Sequence, residues 1–86
     1  MALLEFFGTE CPHCKDMDPL IKRLEKELKV RVQRLEVWHN EANRKKMEDL
    51  DRGKCGGVPF FFNEETKKWI CGAVDYEELG KWASKK

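Results

Sequence analysis

Residues 3–28 read "LLEFFGTECPHCKDMDPLIKRLEKEL", and the reading of this stretch decides the rest of the chain. Leu3 to Phe7 form a short, mostly apolar run of strand character, and Gly8 with Thr9 supplies a turn. Cys11 and Cys14 then stand two residues apart. From Pro12 to about Lys29, the apolar residues Met17, Leu20, Ile21, Leu24 and Leu28 recur at offsets of 3, 4, 7 and 11, which is one face of a helix. Pro12 suits the first helical position, where its missing N–H removes nothing the helix would use. Pro19 falls inside the periodic stretch, where it removes a hydrogen bond and predicts a bend.

Working outward, "VRVQRLEVW" is β-branched and alternating, although Val30 and Val32 have opposite parity to Leu35 and Val37; a strand over about residues 31–37 is expected. Asn40 is placed to cap a second helix whose sparse apolar side is Ala42, Met47 and Leu50, ended by "GKCGG". "VPFFF" and "KKWIC" form two short strands joined at hairpin distance by "NEET". In "DYEELGKWASKK", Asp75 and Glu78 stand as N-cap and N3 of a last helix, with Tyr76, Leu79 and Ala83 or Trp82 facing inward. Gly80 weakens that helix by roughly 1 kcal/mol relative to alanine. The order β-α-β-α-β-β-α is that of an α/β fold. A right-handed parallel crossover opens it and a hairpin adds antiparallel strands, giving a four-stranded mixed sheet flanked by helices.

With 86 residues and 41% hydrophobic composition, residues 1–86 suffice for one small core and are read as a single domain. Charged residues reach 38%, but 17 Lys and Arg nearly balance 16 Asp and Glu, leaving a net charge of +1. Such a surface has no basic field for nucleic acid or anionic lipid, and no run approaches the roughly 18 apolar residues of a membrane span. "MALLEFFG" lacks a basic flank and runs straight into the cysteine pair, so it reads as a strand rather than a signal peptide. A reducing, cytoplasmic setting is therefore expected, where four cysteines point to catalysis or metal rather than staples.

At the strand-to-helix turn, Cys11 becomes the helix N-cap and Cys14 lies in the first turn. Unpaired backbone N–H groups and the positive end of the helix dipole favour a thiolate at Cys11, the candidate nucleophile. Cys14 is close enough to resolve a mixed disulfide. His13 near Cys11 would favour the thiolate and make the couple more oxidising, with Pro12 as its neighbour in the motif; Glu10 opposes this and Lys15 offsets Glu10. Other readings share the motif. A Cys/His metal module would draw on His13, His39, Cys55 and Cys71, but no second close pair exists. A structural disulfide in so short a loop stabilises little. Attachment of c-type haem needs His after the second cysteine, where Lys15 stands.

These features together resemble the thioredoxin superfamily: a CxxC at a strand-to-helix turn, Pro19 five residues after the second cysteine, "GGVPFFF", and the glycine step "CGAVDYEEL" into the last helix. The resemblance covers almost the whole chain. It implies a thiol-disulfide oxidoreductase with a redox-active Cys11–Cys14 disulfide and no metal or organic cofactor. It also implies a cis Pro59 beside the CxxC, with Val58 pairing its backbone with an extended substrate and Gly72 near the groove. Glu5, six residues before Cys11, stands where thioredoxins carry a buried Asp that relays the proton of the resolving cysteine. The short chain is similar to glutaredoxins and small archaeal-type glutaredoxin-like thioredoxins, and the Pro-His pair to DsbA-like oxidants. Glutaredoxins usually have Tyr within the motif and a basic residue before it, so with Glu10 there glutathione is not the expected partner. The implied partners are disulfide-containing proteins and a recycling reductase such as a thioredoxin reductase, acting on a monomer. A redox-inert interaction domain on the same fold is the remaining alternative.

Among the other residues, Cys55 reads as an exposed thiol in a glycine loop, with a bridge to Cys71 or glutathionylation as alternatives. Cys71 reads as a small buried strand residue, with a place near the groove beside Gly72 as the alternative. Trp69 and Phe60 to Phe62 read as core and edge, and His39 as a helix-start residue without chemistry.

Overall fold

The computed structural model describes residues 3–84; Met1, Ala2, Lys85 and Lys86, the ends of the span read as one domain, lie outside the described residues. Along the chain run β1 (Leu3–Phe7), α1 (Pro12–Leu28), β2 (Val32–Glu36), α2 (Glu41–Asp51), β3 (Phe60–Asn63), β4 (Trp69–Cys71) and α3 (Tyr76–Ala83). The strands form one sheet in the order β2-β1-β3-β4, with β1 and β2 parallel and the other pairs antiparallel. This is the expected element order and mixed sheet.

Helices cover both faces, so the central strands are buried on both sides and read as nearly continuous apolar runs. Under α1 and α3, Met17, Ile21 and Leu24 pack with Val32, Phe61, Leu79 and Trp82. Under α2, Leu4, Phe6, Val37, Met47, Phe60 and Phe62 pack together. The parity break in β2 follows from this two-sided burial. Val30 and Val32 serve the α1/α3 face, while Leu35 and Val37 serve the α2 face. Val37 lies just past the strand, its N–H donating to Phe7 O at 2.8 Å.

Caps fall where the sequence puts them: Asn40 Oδ1 accepts Asn43 N–H at 3.0 Å, and Asp75 Oδ1 accepts Glu78 N–H at 2.9 Å. Pro19 sits inside α1, which continues through it. Several inward positions need correction. Leu28 is 48% exposed because the helix ends there, Lys29 adopting a left-handed conformation with φ 54°. Ala42 is exposed; half-buried Asn43 turns inward instead, donating from Nδ2 to Glu36 O at 3.0 Å. Trp69 is 41% exposed on the edge strand, its ring 6.3 Å from that of Phe60. Among the described residues no helix is long and apolar enough to cross a membrane.

Candidate functional site

One end of the sheet gathers the candidate residues. The parallel β1 and β2 both finish there, and the antiparallel β3 begins there. After Gly8 the chain turns sharply, Cys11 N–H donating to Gly8 O at 3.0 Å, and α1 starts at Pro12. Cys11 is the N-cap in extended conformation, and its Sγ accepts the Cys14 N–H at 3.2 Å. A sulfur thus occupies the place of a capping oxygen, beside backbone donors the helix leaves unpaired. Both cysteines are free thiols and buried, Cys11 at 4% and Cys14 at 1% exposure. Burial first, then the hydrogen bond with Cys11, pushes the Cys14 thiol up to about 12. Pro12 and His13 lie exposed in the first turn.

Glu5 is fully buried in the middle of β1, paired in register with Arg34 of β2 and Phe61 of β3. Arg34 Nε donates to its Oε1 at 2.7 Å, while Oε2 has no hydrogen-bond partner among the described residues. Burial raises the Glu5 carboxyl to about 7, and the nearby Arg34 charge only partly opposes this. The Glu5 charge is the smallest of the influences that raise the Cys14 thiol. Arg34 also pairs with Asp18 of α1 and stacks its guanidinium 4.8 Å from the Phe7 ring. Neither Arg34 nor Asp18 was singled out from sequence. The partnership of Arg34 with Glu5 follows from the register of β1 with β2, which sets the two opposite each other and which the sequence leaves open.

A second group missed by sequence reading fixes the loop before Cys11. Glu36, ending β2, accepts Thr9 N–H at 3.0 Å and His39 N–H at 2.7 Å, with Trp38 N–H at 3.2 Å. Desolvation works to raise this carboxyl, but the donors of His39 and Thr9 outweigh it and hold it below the usual range. Trp38 lies over Gly8, where an added Cβ would come within 2.2 Å of the indole. His39 adds a contact that sequence reading does not foresee: its Nε2 lies 2.9 Å from Glu10 Oε1, and that hydrogen bond and charge raise its pKa. The carboxylate preceding Cys11 is therefore engaged by the imidazole of the neighbouring loop.

On the other side, the Val58-Pro59 peptide bond is cis. Phe6 pairs with Phe60, so Pro59 stands one position on, level with the end of β1 where the Cys11 turn begins. Gly72 N–H donates to Pro59 O at 2.8 Å, and Gly72 takes a φ of 92° that favours glycine. Val58, Pro59 and Gly72 therefore share the sheet end with Cys11. Cys55 and Cys71 correct the sequence reading: they form a disulfide 16 residues apart, with Cys71 exposed and Cys55 half-buried. Their sulfurs are thus committed to each other, and among the described residues no three His, Cys, Asp or Glu side chains gather as a metal site.

Comparison with known proteins adds a family. The family model described as Thioredoxin matches residues 1–85. Two solved structures are similar over nearly the whole chain. Thioredoxin 1 from the thermophilic eubacterium Thermosipho africanus TCF52B has a TM-score of 0.71 at 18% identity, with 94% of this chain and 88% of that chain covered. The glutaredoxin grx-1 from Archaeoglobus fulgidus has a TM-score of 0.70 at 23% identity, covering 95% and 86%. At these identities the likeness is one of fold, the thioredoxin fold. No curated protein matches the sequence.

Proposed function

Because the chain belongs to the thioredoxin family, we propose that it is a thiol-disulfide oxidoreductase that exchanges protein disulfides through Cys11 and Cys14. The observation that carries this reading is the capping sulfur. Cys11 Sγ receives the Cys14 amide at the start of α1, while the Cys14 thiol is buried and held protonated behind it. One sulfur faces the donors of a helix N-terminus, where an attacking sulfur is stabilised, and the other waits behind it.

In the forward direction, an extended disulfide-bearing segment lies along Val58, Pro59 and Gly72, its backbone pairing beside Val58. Cys11 thiolate attacks one substrate sulfur, and the other leaves as a thiolate that takes a proton from water. Two influences that raise Cys14, the hydrogen bond and the charge of Cys11, end once Cys11 is bonded to substrate. Cys14 then gives its proton to Glu5, whose carboxyl near 7 is substantially ionised at neutral pH, and attacks Cys11 Sγ. The second substrate sulfur leaves, and the Cys11–Cys14 disulfide remains. Two electrons have moved from the chain to the substrate, and a recycling reductase of the thioredoxin-reductase kind returns them. Arg34, bound to both Glu5 and Asp18, positions the carboxyl that takes the proton. Pro12 and His13, exposed beside the nucleophile, tune the couple.

The reading is tested by reduction of insulin disulfides. Cys11→Ser should lower the rate by at least about 100-fold. Cys14→Ser should instead accumulate a covalent mixed disulfide with the substrate, visible by mass. Full activity in Cys11→Ser overturns the proposal.

A further inference from the structure

The Cys55–Cys71 disulfide takes no part in the exchange just described, yet it flanks the edge assigned to substrate. Cys71 ends β4 and is followed by Gly72, whose N–H holds Pro59 O. Cys55 lies in the loop between α2 and β3, three residues before Val58. The bond therefore ties together the two segments that carry the docking edge, one through Val58 and the other through Gly72.

Among the described residues, the other holds on the Cys55 loop are noncovalent. Buried Asp51 accepts Cys55 N–H at 2.6 Å and Gly56 N–H at 2.8 Å, and Lys54 Nζ lies 5.5 Å from the Trp69 ring centre. Gly53, Gly56 and Gly57 stand where an added Cβ would meet nothing within 4 Å. Cys55 and Val58 are partly buried and pack against the α2-side core. Covalent closure is the firmest of these restraints. It is also open to attack, because Cys71 is exposed at the end of an edge strand.

We propose that the Cys55–Cys71 disulfide is a reversible thiol switch that clamps the docking edge when oxidised and loosens it when reduced. The proposal rests on the reading of Val58, Pro59 and Gly72 as that edge. A small monothiol of the glutathione class, as thiolate, attacks the Sγ of Cys71, an exposed residue. The Cys55–Cys71 bond breaks, and Cys55 leaves as a thiolate that is protonated by water. A second monothiol attacks the small-molecule sulfur of the mixed disulfide, releasing Cys71 as a thiol. Two electrons have passed to the cysteine pair, and the two monothiols leave as their disulfide. Excess small disulfide reverses the sequence.

The test uses the full chain carrying Cys11→Ser and Cys14→Ser, which leaves a single pair to titrate. The protein is equilibrated in glutathione buffers running from oxidised to reduced, alkylated, and weighed. Expected is a reversible gain of two alkylated thiols, with the Gly56, Gly57 and Val58 amides exchanging hydrogen about tenfold faster in the reduced form while Leu24 and Phe61 hold. The switch is overturned if the pair stays oxidised in every buffer that reduces Cys11 and Cys14 of the unmodified chain. It is equally overturned if exchange at those loop amides is the same in both forms. A third arm reads function: Cys55→Ser with Cys71→Ser should raise KM for insulin about threefold at unchanged kcat. An unchanged KM counts against the clamp. If the unmodified chain does not reduce insulin at all, the proposed function fails, while thiol counting and exchange still decide the switch.

Discussion

A carboxylate in the middle of an apolar strand is the residue on which most of the proposed chemistry turns. Glu5 is fully buried and its pKa is raised from 4.5 to about 7. A pKa raised by folding contributes stability that is complete below the unfolded value and is lost as pH rises through the folded one. The native chain should therefore lose on the order of 2–3 kcal/mol between pH 4.5 and 8 relative to its Glu5→Gln variant, read as the difference between their urea midpoints at each pH. The same group should mark the chemistry. Resolution of a mixed disulfide at Cys11 should quicken as pH rises through about 7 in the native chain, and Glu5→Gln should slow it by about 100-fold and remove that inflection. Stopped-flow release of a disulfide peptide measures both. Glu5 was legible from its six-residue step back from Cys11 and from the family resemblance. Arg34 was not, because its partnership depends on strand register, and the parity break between Val32 and Leu35 left that register open until both sheet faces were seen to be covered.

Local signals located the elements well wherever periodicity and capping agreed. Asn40 and Asp75 cap α2 and α3 as read, and the apolar spacing of Met17, Ile21 and Leu24 is the buried stripe of α1. They were less informative where a helix outruns its partner layer. Leu28 continues the stripe beyond the sheet and faces water, and Ala42 yields its inward place to Asn43, which a carbonyl of β2 satisfies. Within α3, Gly80 keeps a helical position with open space where a Cβ would stand. Gly80→Ala should stabilise the chain by roughly 0.5–1 kcal/mol, raising the urea midpoint at an unchanged slope. A lower midpoint would mean that something beyond helix propensity holds that position.

Across the whole molecule, the sheet brings residues distant in sequence to one end: the Cys11 turn, the Glu36-held loop with Trp38 and His39, cis Pro59, and Gly72 beside the Cys55–Cys71 bond. The α/β order and the CxxC turn were readable because each rests on contiguous residues. The Cys55–Cys71 pairing was present only as one alternative, since whether two cysteines 16 residues apart meet depends on where β4 ends relative to the α2–β3 loop. The Glu10–His39 contact was hidden for a similar reason, as it joins loops following two different strands. All of these converge on whether Cys11 and Cys14 cycle between dithiol and disulfide. The direct measurement is the reduction potential of that couple in glutathione buffers, with the bonded residues mapped by mass. A single two-electron transition joining Cys11 to Cys14 is expected, at a potential between roughly −270 and −120 mV. Two free thiols persisting at Cys11 and Cys14 under every oxidising buffer would contradict it.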